Sequence, residues 1–155
     1  MEPVPGIDWL VPAALGIGLA AATGFRVFVP LLIMGLAARS GSLPVSDSFL
    51  WVASTPALAM LAIAAVVEIA AYYIPGLDNL LDTLATPAAI AAGIMVSAAV
   101  MTDLPPMLKW TLAIIAGGGA AGITQGATAF IRGHSSVLTA GLGNPLIATG
   151  ELAGA

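Results

Sequence analysis

The chain has 155 residues, 59% of them hydrophobic and 8% charged, with a net charge of −4 and no cysteine. Four Lys or Arg and eight Asp or Glu cannot cover the exterior of a water-soluble domain, where about a quarter of residues are charged, so lipid is the expected solvent. The acidic balance, with no basic cluster to neutralise phosphates, excludes a polynucleotide partner, and the lack of cysteine excludes a disulfide framework, a thiol nucleophile and a thiolate metal site.

The expected fold class is all-α: one transmembrane domain, 1–155, forming a polytopic helix bundle of about four spans at 1.5 Å rise per residue. The acidic N-terminus (Glu2, Asp8) lacks the basic start of a signal peptide, so Leu10 onward reads as a retained span. The first apolar segment, 10–38, is too long for a simple span. A kink or break is expected around Gly24-Phe25-Arg26 or at Pro30, where proline removes a backbone hydrogen bond.

A polar turn, 40–48, leads to a span at 49–73, whose Trp51 and Tyr72 lie about 31 Å apart on helical rise, as interfacial aromatic belts require. At 76–85, Leu77, Leu80, Leu81 and Leu84 recur at helical spacing opposite Asp78 and Asp82, which predicts a short amphipathic helix in the interface. A short alanine-rich span follows at 87–103, opened by Pro87. After Thr102-Asp103-Leu104-Pro105-Pro106 the last span, 107–131, is bracketed by Trp110 and Arg132 as interfacial anchors, and a polar, Gly-rich tail occupies 133–155. Arg39 and Lys109 against Arg132 give a two-to-one vote that the termini face outward.

Small residues four apart mark helix-packing stripes: Gly16, Ala20 and Gly24; Ala89, Gly93 and Ser97; Gly118, Gly122 and Gly126. Such stripes let backbones approach closely in lipid, where no hydrophobic force drives helices together.

Five residues are candidates for an ion or substrate path: Arg26, Glu68, Asp78, Asp82 and Asn144. A guanidinium inside the bilayer costs at least about 2.5–3.5 kcal/mol, so Arg26 should be paired or wet if buried, or else snorkel to an interface. Glu68, one turn inside Tyr72, is its obvious partner if the two share a depth. Asp78 and Asp82, four apart, are more simply a solvated helix face than cation ligands. Thr124 and Gln125 fit interhelical hydrogen bonding, and His134 beside Ser135 has no third member for nucleophilic catalysis. Asn144-Pro145 reads as a turn or non-helical stretch.

Taken together, Ala22-Thr23-Gly24-Phe25-Arg26 with Pro30, Glu68 followed by Ile74-Pro75-Gly76-Leu77-Asp78-Asn79 and Asp82, and Gly141-Leu142-Gly143-Asn144-Pro145 resemble the uncharacterised bacterial membrane family catalogued as domain of unknown function four-one-two-six. The resemblance implies a polytopic membrane protein and carries no chemistry. Where members have Ser and Glu-Asp after the Asn-Pro and then a last apolar helix, this sequence has Ala148 and Glu151-Leu152 and stops at Ala155, so that helix is expected to be absent or removed.

Ionisable groups in apolar segments and a broken first helix favour a small transporter or channel for an ion or small solute, homo-oligomeric, multi-pass in a bacterial inner membrane, with lipids as surroundings and no cofactor or metal. The alternative is a structural or assembly subunit docking through its glycine stripes. A lipid-acting membrane enzyme ranks third, for want of a recognisable nucleophile or metal cluster.

Overall fold

The apolar runs fold as helices, and no strand occurs among the described residues. In the computed structural model the described residues are 9–74 and 77–155, with side chains for 9–74 and 83–155. The helices are α1 (Leu10–Phe25), α2 (Phe28–Arg39), α3 (Thr55–Ala71), α4 (Leu77–Val100), α5 (Pro106–Leu112), α6 (Gly118–Thr139) and α7 (Asn144–Gly154). A 3₁₀ stretch, Asp47–Ala53, leads into α3, whose N-terminus is capped by Ser54 accepting the Ala57 N–H. A π-helical stretch, Ala113–Gly117, joins α5 to α6, so Pro106–Thr139 continues as one helix of 34 residues.

By length and apolarity two of these helices are able to cross a membrane, Thr83–Val100 within α4 and Pro106–Thr139. The 3₁₀ stretch and α3, bent by 65°, make a third if they act as one span, and α1 and α2 are shorter apolar helices. The molecule is thus an all-helical bundle with a broken first segment.

Its core is the trio α1, α4 and α6, which meet through small residues. A Cβ on Gly24 would stand 2.5 Å from the Thr124 Cβ, and one on Gly93 2.5 Å from the Ala121 Cβ. Buried hydroxyls tie the same helices: Thr23 Oγ1 donates to Ala89 O at 3.3 Å, and Ser97 Oγ donates to Gly16 O at 2.8 Å. Close backbone approach and interhelical hydrogen bonds hold helices together where the solvent is hydrocarbon.

These contacts also fix direction. Gly16 lies against Ser97, Val100 and Met101, and Thr23 reaches Ala89, so α1 runs antiparallel to α4. Beyond Arg26 the chain reverses. Gly35 on α2 packs on Val52, and the Ser46 N–H reaches Ala99 O at 2.7 Å, which returns the chain to the end from which α1 set out. The first apolar segment is a helical hairpin, and not one long tilted span. Pro30 stands in the first turn of α2, where its missing N–H leaves no intrahelical bond unmade.

Two further segments and two expected interfacial residues differ from expectation. No separate interfacial helix begins at 76–85: α4 starts at Leu77 and continues through Pro87 to Val100, with the break that proline brings absorbed inside one helix. Asn144-Pro145, expected as a turn or non-helical stretch in the tail at 133–155, opens a helix: α6 extends to Thr139 and α7 starts at Asn144. Arg132, expected at an interface, is fully buried, since Ala140 (φ 52°) and Gly141 (φ 83°) turn the chain and bring α7 back over α6. Tyr72, also expected at an interface, is 3% exposed, while its neighbour Tyr73 faces outward and bonds Thr149 on α7.

Candidate functional site

Two chain reversals at the same end of the bundle build one place, since Gly16 and Gly24 on α1 face the levels of Gly117 and Thr124 on the Pro106–Thr139 helix in the same order. The α1–α2 turn carries Arg26 there, and α7, running antiparallel to α6, brings Ala148 and Glu151 up to it, with Gly154 ending against the Phe25 ring. On α7 the buried residues are Asn144, Ala148 and Glu151, spaced four and three apart, so one helix face supplies all of them.

The geometry is that of a shared carboxylate. Arg132 grips Glu151 with two donors, Nε to Oε1 at 3.0 Å and Nη2 to Oε2. Arg26 Nη2 lies 3.8 Å from the same Oε2 and donates to Ala148 O at 2.9 Å. Both guanidiniums also stand over the Tyr72 ring, with their central carbons 4.2 Å (Arg26) and 4.1 Å (Arg132) from its centroid. An aromatic face attracts cations more strongly when water is excluded, and here the side chains of both arginines are 0% exposed.

Glu68 sits beside this group but does not close an ion pair with Arg26. Its Oε1 accepts the Val27 N–H at 2.6 Å and its Oε2 the Phe28 N–H at 3.1 Å, so the carboxylate caps the start of α2. Those N–H groups belong to the first turn of a helix and have no intrahelical acceptor, and the helix dipole favours a negative charge at that point. Arg26 and Glu68 therefore come to the same region without pairing, Glu68 accepting from backbone and Arg26 donating to α7.

Arg26 Nε and Nη1 and Gln125 Nε2 are buried and have no hydrogen-bond partner. Buried donors left unfilled are uncommon in folded proteins and cost about 1–3 kcal/mol each. Next to the cluster, α2, α3 and α4 enclose an apolar groove of about 510 Å³, with Glu68 and Tyr72 among its lining residues.

Of the residues singled out from sequence, Arg26, Glu68 and Asn144 are brought to this region, Asn144 donating through Nδ2 to Ser136 on α6 at 2.8 Å. The side chains of Asp78 and Asp82 lie outside the described residues. Gly16, Gly24, Gly93, Gly118 and Gly122 all have neighbours within contact of an added Cβ, whereas Gly126 has none and faces outward. His134 is exposed, stacks on Phe130 with centroids 4.2 Å apart and bonds Phe130 O. Arg132 and Glu151, which complete the ion cluster, were not among the sequence candidates. The signal for Glu151 was the helical register of Asn144, Ala148 and Glu151 in the tail, which puts the tail acid on one helix face with Asn144.

The family described as domain of unknown function (DUF4126) matches residues 13–155. No curated protein and no solved structure matches the chain.

Proposed function

This chain belongs to the DUF4126 family, whose description carries no activity, and from that premise we propose that it is a small membrane transporter or channel for an ion or small solute. The cluster of Arg26, Arg132 and Glu151 on Tyr72 is its polar binding point. In this reading it works as a homo-oligomer in a bacterial inner membrane, because helices this short enclose little volume within one chain.

One observation carries the reading: among the described residues two guanidiniums and one carboxylate are withdrawn from solvent where α7 returns to the α1–α2 turn, and Arg26 still has two donor atoms unfilled. Apolar side chains of similar volume would hold the fold at least as well, since desolvating charges costs several kcal/mol per ion before pairing recovers any of it. Ionisable groups inside membrane segments mark ion and substrate pathways, and broken helices meeting at a shared site are the usual construction of such pathways.

The test is reconstitution into vesicles with flux assays over a panel of ions and small solutes, comparing the parent with Arg26→Ala and Glu68→Gln. The reading expects flux of at least one solute and its loss in Arg26→Ala. Failure of the parent to move any panel member, or flux indifferent to both replacements, ends it.

A second reading, an assembly subunit, has its own support. Gly119, Gly126 and Gly133, seven apart on α6, have no neighbour within 4 Å of an added Cβ and form an outward stripe suited to another helix. On that reading Gly126→Leu disrupts a complex and leaves the isolated chain as stable as before.

A further inference from the structure

The groove beside the cluster is built for something other than water. It opens between α3 and α4, and its walls are Met60, Ile63, Val67, Leu84, Ala85 and Ala88, with hardly any polar surface among them. Met60, Ile63 and Leu84 are 72%, 66% and 63% exposed, so α3 stands off from α4 and leaves the groove accessible from the side of the bundle. Its volume, about 510 Å³, falls in the range of roughly 300–1,000 Å³ typical of sites for small organic ligands. A hydrated ion gains nothing from such walls. A hydrocarbon chain arriving from the bilayer exchanges one apolar surrounding for another and loses nothing on entry, so the selectivity falls on its head group.

At its inner end the groove changes character. Tyr72 lines it, and the same ring carries both guanidiniums, so the phenol ring stands between the apolar groove and the buried arginines. Behind that ring Arg26 Nε and Nη1 have no acceptor. Among the described residues the charged group lining the groove is Glu68, each of whose two oxygens accepts one backbone N–H, from Val27 and from Phe28. Apolar walls and an unfilled guanidinium together select one ligand chemistry.

We infer that the groove admits a single-chain amphiphilic anion, a long-chain carboxylate, sideways from the bilayer, its acyl chain lying between α3 and α4 and its head group pairing with Arg26 after the Tyr72 ring moves aside. The inference rests on the transporter reading for what happens next, but the binding site stands on its own geometry. Once the head group reaches Arg26 it competes with Glu151, which already serves two guanidiniums, and so loosens the contact between α7 and the α1–α2 turn.

The experiment uses the full chain in phosphatidylcholine vesicles with a diazirine-bearing C16 carboxylate, and with the diazirine C16 alcohol as the uncharged control. Labelled residues are mapped by mass spectrometry. The carboxylate should label Met60, Ile63 and Leu84, an excess of unlabelled palmitate should remove that labelling, and Arg26→Met should lower it at least tenfold while leaving the alcohol's labelling unchanged. Ala88→Trp, on the groove wall and away from the charges, should fill the groove and suppress labelling by both probes with no change in melting temperature. This second variant keeps the test decisive if Arg26→Met fails to fold. Equal labelling by acid and alcohol, with no dependence on Arg26, overturns the inference, as does labelling spread evenly over the outer helix faces. Short anions such as acetate crossing in an Arg26-dependent manner without groove labelling would also overturn it, yet leave the transporter reading intact. Groove labelling in a chain that moves no solute supports the site and removes the transporter reading alone.

Discussion

Glu68 accepts the backbone N–H of Val27 at 2.6 Å across 41 residues of chain, and that bond fixes where the first apolar segment reverses. Helix α1 ends at Phe25 with Arg26 extended (φ −145°, ψ 128°), and α2 starts at Phe28 with its early N–H groups facing a carboxylate. In hydrocarbon no water is available to those donors, so a protein group must take them.

Replacing Glu68 should therefore act on stability in a graded way. Glu68→Gln keeps one acceptor oxygen but turns an amide N–H₂ toward the second donor, which costs about 1–3 kcal/mol. Glu68→Leu leaves both donors bare and should cost more. Thermal unfolding in detergent measures both, and a Glu68→Leu protein as stable as the parent would remove Glu68 from this role.

The Arg132–Glu151 pair makes a second prediction. Glu151→Leu removes the carboxylate that both buried guanidiniums face, and breaking a buried ion pair from one side costs about 3–5 kcal/mol. Arg132→Met should cost less, because Arg26 remains within 3.8 Å of the carboxylate. The double variant should lose less than the two single losses added together, by about 0.5–3 kcal/mol, as residues in one network do. Strict additivity in a denaturant or thermal series would show that the contact contributes no coupling.

How much of this was legible in the sequence depends on the range of each interaction. The all-helical membrane class, the break near Arg26 and the glycine stripe of α1 follow from composition and local spacing, and a resemblance carried by three short motifs pointed to the family that residues 13–155 match. Long-range partners were not legible. Arg26 and Glu68 looked like a pair because each was a charge in an apolar run, but a carboxylate facing a helix start has two N–H donors to satisfy, and nothing local announces that. Arg132 looked like an interfacial anchor because it ends an apolar run, and only the reversal at Ala140–Gly141 and the return of α7 cover it. The joining of 76–85 to the following span was missed because Pro87 is a common helix opener, while here it lies inside α4.

Glycine positions separate packing from mere composition. At Gly24 and Gly93 an added Cβ would fall 2.5 Å from the side chains of Thr124 and Ala121, with backbone atoms close behind, so neither neighbour is able to yield cheaply. Gly24→Ala and Gly93→Ala should each destabilise the fold by about 1–3 kcal/mol, the usual cost of overpacking. Gly126→Ala meets nothing within 4 Å and should stabilise α6 by about 0.5–1 kcal/mol through helix propensity alone. Equal effects at the three positions, read by thermal unfolding in detergent, would contradict the packing of α1, α4 and α6 described above.

The turn that returns α7 to the cluster rests on a residue in an unfavourable conformation. Ala140 closes α6 at φ 52° and ψ 33°, in the left-handed region, where a side chain brings Cβ too close to the following carbonyl and costs about 1–2 kcal/mol. Its side chain is exposed, so removing it loses no packing. Glycine adopts this conformation without that penalty, although it gives back part of the gain through its freer unfolded chain. Ala140→Gly should therefore raise stability by about 0.5–1 kcal/mol, and Ala140→Val, β-branched at the same angles, should lower it. The next residue gives the opposite sign: Gly141 stands at φ 83°, and Gly141→Ala should destabilise the turn. Melting temperatures of the three variants in one detergent decide the matter. An Ala140→Gly protein that melts below the parent would mean that the chain does not reverse through a left-handed residue here, and the delivery of Glu151 to Arg132 would need another explanation.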